Sequence, residues 1–444
     1  SVSGGWRVSE EAFWKVNPDL FSNLKIRASY GSLGNGNVSP YSFLELLSIS
    51  TSGRVLNGLK NKYTSAPAVM PDGLTWETAT TTDVGLDFGM LNNRLQFNGD
   101  YYIRKTTDMY TVGETLPDVF GASSPKGNYA DMTTKGWEIT LTWRDQFTLA
   151  EKPFNYEIRG TLSDYISTID RYNNQTGNLD DYYAGKRVGE IWGYVTEGLF
   201  KDQADIDSHA DQTLIQSSSK RITYPGDVKI KDLNGDHVID YGNNTVDDHG
   251  DKTVIGNALP RYAYSINLSG DWNNFFLSAF FQGVGKQDWY PSSECIFWGQ
   301  YNRPYNNMPT WHQGNYWTED NTDAYLPRYA GYNASLKSTP QTRYLQNVAY
   351  IRLKNLQFGY TLPQPIVSKA KLQNVRVYIS AENLWCWSPL YKHTRDLDVT
   401  NIYGSDPDLT DADMSSGLNG NRGSGDGNSY PQMKSVSLGL SVTF

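Results

Sequence analysis

Residues 434–444 read KSVSLGLSVTF and alternate in twos: Val436, Leu438, Leu440, Val442 and Phe444 share one side, Ser435, Ser437, Gly439, Ser441 and Thr443 the other. A period of two belongs to a β-strand, whose successive side chains point to opposite faces. The rhythm recurs upstream. It sets Leu24, Ile26, Ala28 and Tyr30 against Lys25, Arg27 and Ser29, and Val84, Leu86, Phe88 and Met90 against Asp83, Gly85, Asp87 and Gly89. Leu95, Phe97, Tyr101 and Ile103 likewise oppose Gln96, Asn98, Asp100 and Arg104. Further apolar files are Trp137, Ile139, Leu141 and Trp143; Phe154, Tyr156, Ile158 and Leu162; Tyr262, Tyr264, Ile266 and Leu268; Phe275, Leu277, Ala279 and Phe281; and Val375, Val377, Ile379 and Ala381. In YIRLKNLQFGYTLP, 350–363, the alternation changes phase near Lys354 and Asn355, which predicts a β-bulge.

About ten strands result, each clean on one face. The opposite faces carry Lys25, Arg27, Asp87, Asp100, Arg104, Glu138, Glu157, Arg159, Arg376 and Glu382. A wall facing lipid excludes charge, since Arg or Lys at the bilayer midplane costs roughly 2–4 kcal/mol. The buried face of a β-sandwich excludes charge as well, so alternation alone does not separate the two. Connection lengths do. Short links at 90–94, 145–153, 271–275 and 362–374 alternate with long ones at about 36–78, 112–132, 173–260, 290–345 and 388–430. Sorting short links to one end and long links to the other is the asymmetry of outer-membrane barrels, with short periplasmic turns and long extracellular loops. A sandwich has no reason for it.

Composition agrees. Of 444 residues 38% are hydrophobic and 14% aromatic, with 31 Tyr, 13 Trp and 40 Gly, and the mean hydropathy is −0.56. No run approaches the roughly 18 apolar residues of a spanning helix, whereas alternating barrel strands keep average hydropathy low. A net charge of −9 without a basic stripe argues against nucleic acid as a partner. Cys295 and Cys386 lie in no metal-ligand spacing and fit either two thiols or one disulfide. The N-terminal SVSGGWRVSEEAFWKVN has neither a basic n-region nor an apolar h-region, so either a secretory signal was removed or this is a piece of a longer chain.

Several stretches carry a family likeness. GDVKIKDLNGDHVID (226–240), DDHGDKTVIGNALPRYAYSINLSGDW (247–272), YLQNVAYIRLKNLQFGYTLP (344–363), VRVYISAENLW (375–385) and SVSLGLSVTF (435–444) together resemble the C-terminal part of a SusC/RagA-type TonB-dependent outer-membrane transporter. LTWETATTTDVGLDFGMLNNRLQFNGDYY (74–102) is similar to a segment such receptors share. The resemblance implies an all-β, antiparallel transmembrane barrel of 22 strands, of which residues 1–444 are the C-terminal portion, the plug domain and earlier strands being absent. It implies TonB-dependent import of glycan oligosaccharides across the outer membrane of a Gram-negative bacterium, with a SusD-like surface lipoprotein as lid. TonB acts through the missing N-terminal part, and a dimer of transporter and lipoprotein pairs is a further implication; some relatives import peptides.

Two local features invite a site. In DLNGDHVID, Asp232, Asn234, Asp236 and Asp240 occupy positions 1, 3, 5 and 9 of a calcium loop, and Asp247, Asp248 or Asp251 can add a carboxylate. His237 at position six, Asn243 at position twelve and the lack of flanking helices depart from an EF-hand; a solvated acidic turn is the plainer alternative. A structural Ca2+ within 232–251, held by Asp232, Asn234, Asp236, Asp240 and Asp248, is the expectation. Secondly, 289–329 is dense in rings: Trp289, Tyr290, Phe297, Trp298, Tyr301, Tyr305, Trp311, Tyr316, Trp317, Tyr325 and Tyr329. Rings flanked by amides and carboxylates suit sugars, and Trp289, Trp298, Tyr301, Trp311 and Trp317 are the candidate ligand platform. For any single ring, self-packing of the loop, packing against a lid protein or an interfacial girdle is the plainer alternative; for the cluster, ligand or lid contact is the expectation.

The five histidines, His209, His237, His249, His312 and His393, show no paired spacing, and GxSxG and phosphate-loop motifs are absent, so no catalytic centre is expected. The rival readings are a secreted all-β polysaccharide-binding or adhesion protein, which needs no detergent, and a β-sandwich glycosidase, which hydrolyses glycans.

Overall fold

A computed structural model describes the chain except residues 37–43, 45–46, 66–68, 70–72, 114–118, 120–123, 217–221, 293–294, 302–305, 331–336, 338, 401 and 403–431. Its main element is one antiparallel sheet of 11 strands, each paired with its neighbour in chain order. These are β1 (Val2–Arg7), β2 (Phe21–Asn35), β3 (Glu77–Met90), β4 (Leu95–Val112), β5 (Lys126–Leu149), β6 (Lys152–Arg171), β7 (Arg261–Trp272), β8 (Phe275–Lys286), β9 (Tyr350–Thr361), β10 (Asn374–Trp387) and β11 (Ser435–Thr443). The expected all-β barrel wall is present, with one strand more than the pattern suggested.

Cross-strand register makes the sheet two-faced. One row of partners runs Leu24, Phe88, Phe97, Leu141, Gly160, Ile266, Phe281, Leu353 and Trp385 across nine strands. The next row, one residue along, reads Lys25, Asp87, Asn98, Thr140, Thr161, Ser265, Gln282, Arg352 and Cys386. Among the described residues no second sheet covers the apolar face; the other sheets are two-stranded pieces of the long loops. Ile158, Leu277 and Ile379, in interior strands, therefore stay 45%, 48% and 50% exposed. That excludes a sandwich and fits a wall whose outer solvent is lipid.

The turns close as sequence order requires. β5 and β6 are joined by Ala150 and Glu151, with φ of 45° and 61°, and β7 and β8 by Asn273 and Asn274, with φ of 46° and 71°. Two successive positive-φ residues are the hairpin conformation whose twist matches the strands. The link expected at 145–153 is thus only two residues, because the strands run on. For the same reason the 112–132 link shrinks to 113–125. Strand β5 has 24 residues, against the ~10 that span a bilayer, so it projects beyond the membrane on the long-loop side. The predicted bulge is real: against β8 the pairing passes from Asn355 to Leu353 and leaves Lys354 as the extra residue, while against β10 the pairing slips again, with Lys354 facing both Asn383 and Leu384.

The hydrophobic core lies outside the sheet. Tyr194, Val228, Ile230, Ile239, Trp289, Phe297, Trp298, Tyr301, Leu326, Tyr344, Leu390 and Val399 bury one another, drawing on the connections after β6, β8 and β10. Three loops that would each expose apolar surface alone form one packed module above the wall.

Candidate functional site

The outward face first fixes a height scale. Near the short turns aromatic rings form a belt: Phe88 stacks on Phe97 at 4.7 Å, Phe147 meets Phe154 at 5.0 Å, and Phe275 lies 5.9 Å from Phe358 and 4.6 Å from Tyr360. Toward the long loops a second belt holds Tyr30, Tyr101, Trp137, Tyr262, Trp385 and Trp387. Phe147 and Trp137 are ten residues apart on β5, about 33 Å of strand, or about 25 Å of height at a tilt near 40°. Paired aromatic girdles that far apart are those of a transmembrane barrel. The girdle is built by strand residues, and the described rings of 289–329 have no part in it.

The inward face is polar and cross-linked. Arg27 reaches Asp87 and Asp100, each at 2.8 Å, lying over Gly85, where a Cβ would meet the Asp100 carboxylate at 2.4 Å. Asn98 donates to Asp87 at 3.0 Å, and Asn155 to Asp271 at 2.8 Å. Arg376 lies over the Phe276 ring at 4.5 Å. At the short-turn end a cavity of about 850 Å³ is lined by Arg94, Arg144, Asp145, Glu157, Asp271 and Phe276 among others. Between these ion pairs the row Asn98, Thr140, Thr161, Ser265 and Gln282 offers uncharged hydroxyls and amides.

The aromatic candidates lie in the loop module, and burial divides them. Trp289 and Trp298 are 0% exposed and Tyr301 1%. Trp298 donates its indole N–H to the Pro291 carbonyl at 3.2 Å, and Tyr301 its hydroxyl to the Pro327 carbonyl at 2.7 Å. These three rings present no face to a ligand here; they are the core that holds the loops together. Trp311 and Trp317 are half-buried. Trp311 packs on Phe297 at 5.0 Å and on His393 at 5.3 Å. Trp317 fills the space above Gly226, whose φ of 85° and missing side chain make room for it. Tyr305 lies outside the described residues.

Pattern reading missed the polar groups that lock this module. His312 is fully buried and bonds the Phe297 carbonyl through Nε2 at 3.0 Å, while its Nδ1 has no partner. Burial lowers its pKa to about 4, against an ordinary 6.5. Asp227 pairs with Arg328 at 2.7 Å, yet burial outweighs that pairing and pushes its carboxyl up. Arg352 of β9 turns inward to Asp398 at 3.2 Å and to Thr400 and Gln432, tying the last long loop to the wall. No local signal marks these pairs, because their members are 101 and 46 residues apart.

In the 232–251 loop the oxygens serve the backbone. Asp232 accepts from the amides of Gly235 at 2.6 Å and His237 at 2.9 Å, which hold its carboxyl below the usual range. Asn234 accepts from Asp236, Asp236 from Val238, Asp240 from Gly242 and Asp248 from Asn243. Asp251, fully buried, bridges the amides of Leu233 and Asp240. His237 has φ 66°, so position six takes the left-handed turn that glycine usually provides in a calcium loop. Among the described residues, no three His, Cys, Asp or Glu side chains converge in a metal-holding group. The residues expected to hold Ca2+ therefore form a chain of Asx turns in this geometry. Cys295 and Cys386 are not joined in a disulfide.

Comparison with known proteins finds the chain similar along its whole length to proteins named TonB-dependent receptors. It is 27% identical over 100% of its length to TonB-dependent receptor P26 of Formosa agariphila, and 28% identical over 99% to receptor P3 of the same organism. It is 23% identical over 100% to TonB-dependent receptor SusC of Bacteroides thetaiotaomicron. The chain spans only 42%, 41% and 40% of those proteins respectively. Among solved structures it is similar in fold to the RagAB peptide transporter, with a TM-score of 0.67 at 19% identity over 87% of this chain and 39% of the other. The open-open state of the RagAB peptide importer gives a TM-score of 0.65 over 87% of this chain and 38% of the other. No family model matches the chain. The SusC/RagA resemblance and the barrel-wall fold thus hold in both sequence and structure.

Proposed function

We propose that this chain forms part of the wall and outer loops of an energised importer in the outer membrane of a Gram-negative bacterium. The observation that carries this is the two-faced sheet, apolar and girdled outside and hydrogen-bonding within. On this reading a SusD-like surface lipoprotein captures cargo, the barrel holds it, and TonB, acting on a plug outside this chain, lets it pass. The cargo is a glycan oligosaccharide: the uncharged row of Asn98, Thr140, Thr161, Ser265 and Gln282 suits sugar hydroxyls, and Trp311 and Trp317 keep part of their ring surface free. Catalysis is no part of this reading. Peptide cargo is the second reading, favoured by the fold likeness to the RagAB peptide transporter.

The test is to purify the full-length protein from outer membranes in mild detergent, sequence what co-purifies, and titrate the complex calorimetrically with neutral oligosaccharides and with mixed peptides. A co-purifying lipoprotein and saturable sugar heat support the proposal. Heat with peptides alone transfers it to the second reading, and recovery from the soluble fraction refutes both. For Ca2+ in the 232–251 loop, support is confined to the oxygen spacing and the left-handed turn at His237. Chelation should then lower the loops' melting temperature; an unchanged melt removes the metal.

A further inference from the structure

Just above the upper girdle the outward face changes character within two residues. Past Tyr101 and Trp137 the next cross-strand row reads Tyr30, Thr82, Ile103, Lys135 and Ile166, and the one after it Ser32, Thr80, Lys105, Thr133 and Thr168. Lys105 and Lys135 are diagonal neighbours on β4 and β5, are exposed, and form no ion pair among the described residues. Hydroxyls surround them: Ser32 and Thr80 share a hydrogen bond at 3.2 Å, and Thr82, Thr133 and Thr168 occupy the same face.

The carboxylates of this flank stand farther from the apolar band or are already engaged. Asp131 senses Lys105, but both its oxygens are taken by Arg171 at 2.8 Å, and Arg171 also holds Asp108 at 3.0 Å. Asp170 accepts from the Thr133 hydroxyl at 2.5 Å, in the register slip opposite Asp131 and Met132. Asp164, level with Trp137, is buried under Arg261. Apart from Asp164, which Arg261 holds, and Asp170, which Thr133 holds, the order outward from the membrane is apolar band, aromatic belt, two unpaired ammonium groups, then acids. Lys135 sits two residues beyond Trp137, about 5 Å higher, the depth at which lipid headgroups begin.

We propose that Lys105 and Lys135, with the Ser32 and Thr80 hydroxyl pair beside them, dock the phosphomonoester headgroup of an outer-leaflet lipid. Each ammonium offers three donors to phosphate oxygens, and the Ser32 and Thr80 pair keeps one hydroxyl proton beyond the bond it shares. The proposal rests on the membrane reading of the wall. It is tested by native mass spectrometry of the full-length transporter, exchanged into detergent with a disaccharide lipid bearing two phosphomonoesters or with the same lipid after phosphatase treatment. Wild-type protein should retain the phosphorylated lipid, and K105Q/K135Q should retain at least ten-fold less, while K25Q on the inner face behaves as wild type. Heat-modifiable electrophoretic mobility checks that each variant is folded. Equal retention of both lipids, or retention unchanged in K105Q/K135Q, overturns this proposal and leaves the barrel standing. A protein that stays dispersed without detergent overturns both.

Discussion

Arg27 shows how a single side chain organises the inner wall. Its guanidinium spans three strands by gripping Asp87 and Asp100, with Gly85 left bare beneath it. Arg27→Ala leaves two carboxylates facing each other without a cation, and should cost about 1–2 kcal/mol given their partial exposure. The check is the unfolding midpoint of the detergent-solubilised protein in denaturant. His312 makes a second residue-scale prediction. Its folded-state pKa of about 4 lies below its ordinary 6.5. The unfolded loop therefore binds the proton more readily, and the contribution to stability, complete above pH 6.5, is lost as pH falls toward about 4. His393, whose pKa burial and Lys392 also lower, acts with the same sign. Hydrogen exchange of 289–329 should accelerate between pH 7 and pH 4.5 in the wild type and respond less in His312→Gln; equal acceleration in both would exonerate His312.

At the scale of the strand, face decides the cost of a charge. Leu141 and Thr140 are adjacent on β5 but point to lipid and to the interior. Leu141→Arg should cost about 2–4 kcal/mol in refolding into lipid bilayers, and Thr140→Arg well under half of that. Similar penalties at both positions would mean the faces are misassigned. These strands were legible because alternation is local: each residue's face follows from its neighbours, and even the Lys354 bulge left a phase slip in the sequence. Strand ends were not legible. β5 begins at Lys126 and runs through Asn128 and Asp131, whose polarity reads as loop, because above the membrane the outer face no longer has to be apolar. The roles of Trp289, Trp298 and Tyr301 were hidden too, since an aromatic beside Asn and Asp looks alike whether sugar or a distant loop covers it. Leu326 and Tyr344, among the residues that enclose them, are 25 or more positions away.

For the molecule as a whole, the wall and the loop module are stabilised by different solvents, lipid for one and a water-shed core for the other. Trp298→Ala, which empties the centre of that core, should cost the module about 3–5 kcal/mol. Limited proteolysis should then cut the connections after β6, β8 and β10 together, while the barrel keeps its heat-modifiable mobility. Cleavage confined to 290–345 would mean that the three loops fold separately.

That module also constrains how the molecule is made. On the proposed orientation the long connections end outside the cell, so during assembly they, and not the two-residue turns, are threaded through the bilayer. A knot of indoles and phenols already locked together would be too bulky for such a passage. Trp289, Trp298, Tyr301 and Tyr344 must then travel apart, each on an extended strand of chain, and find one another only after arrival. The rings that make the finished exterior rigid are, in transit, its greatest liability to clumping.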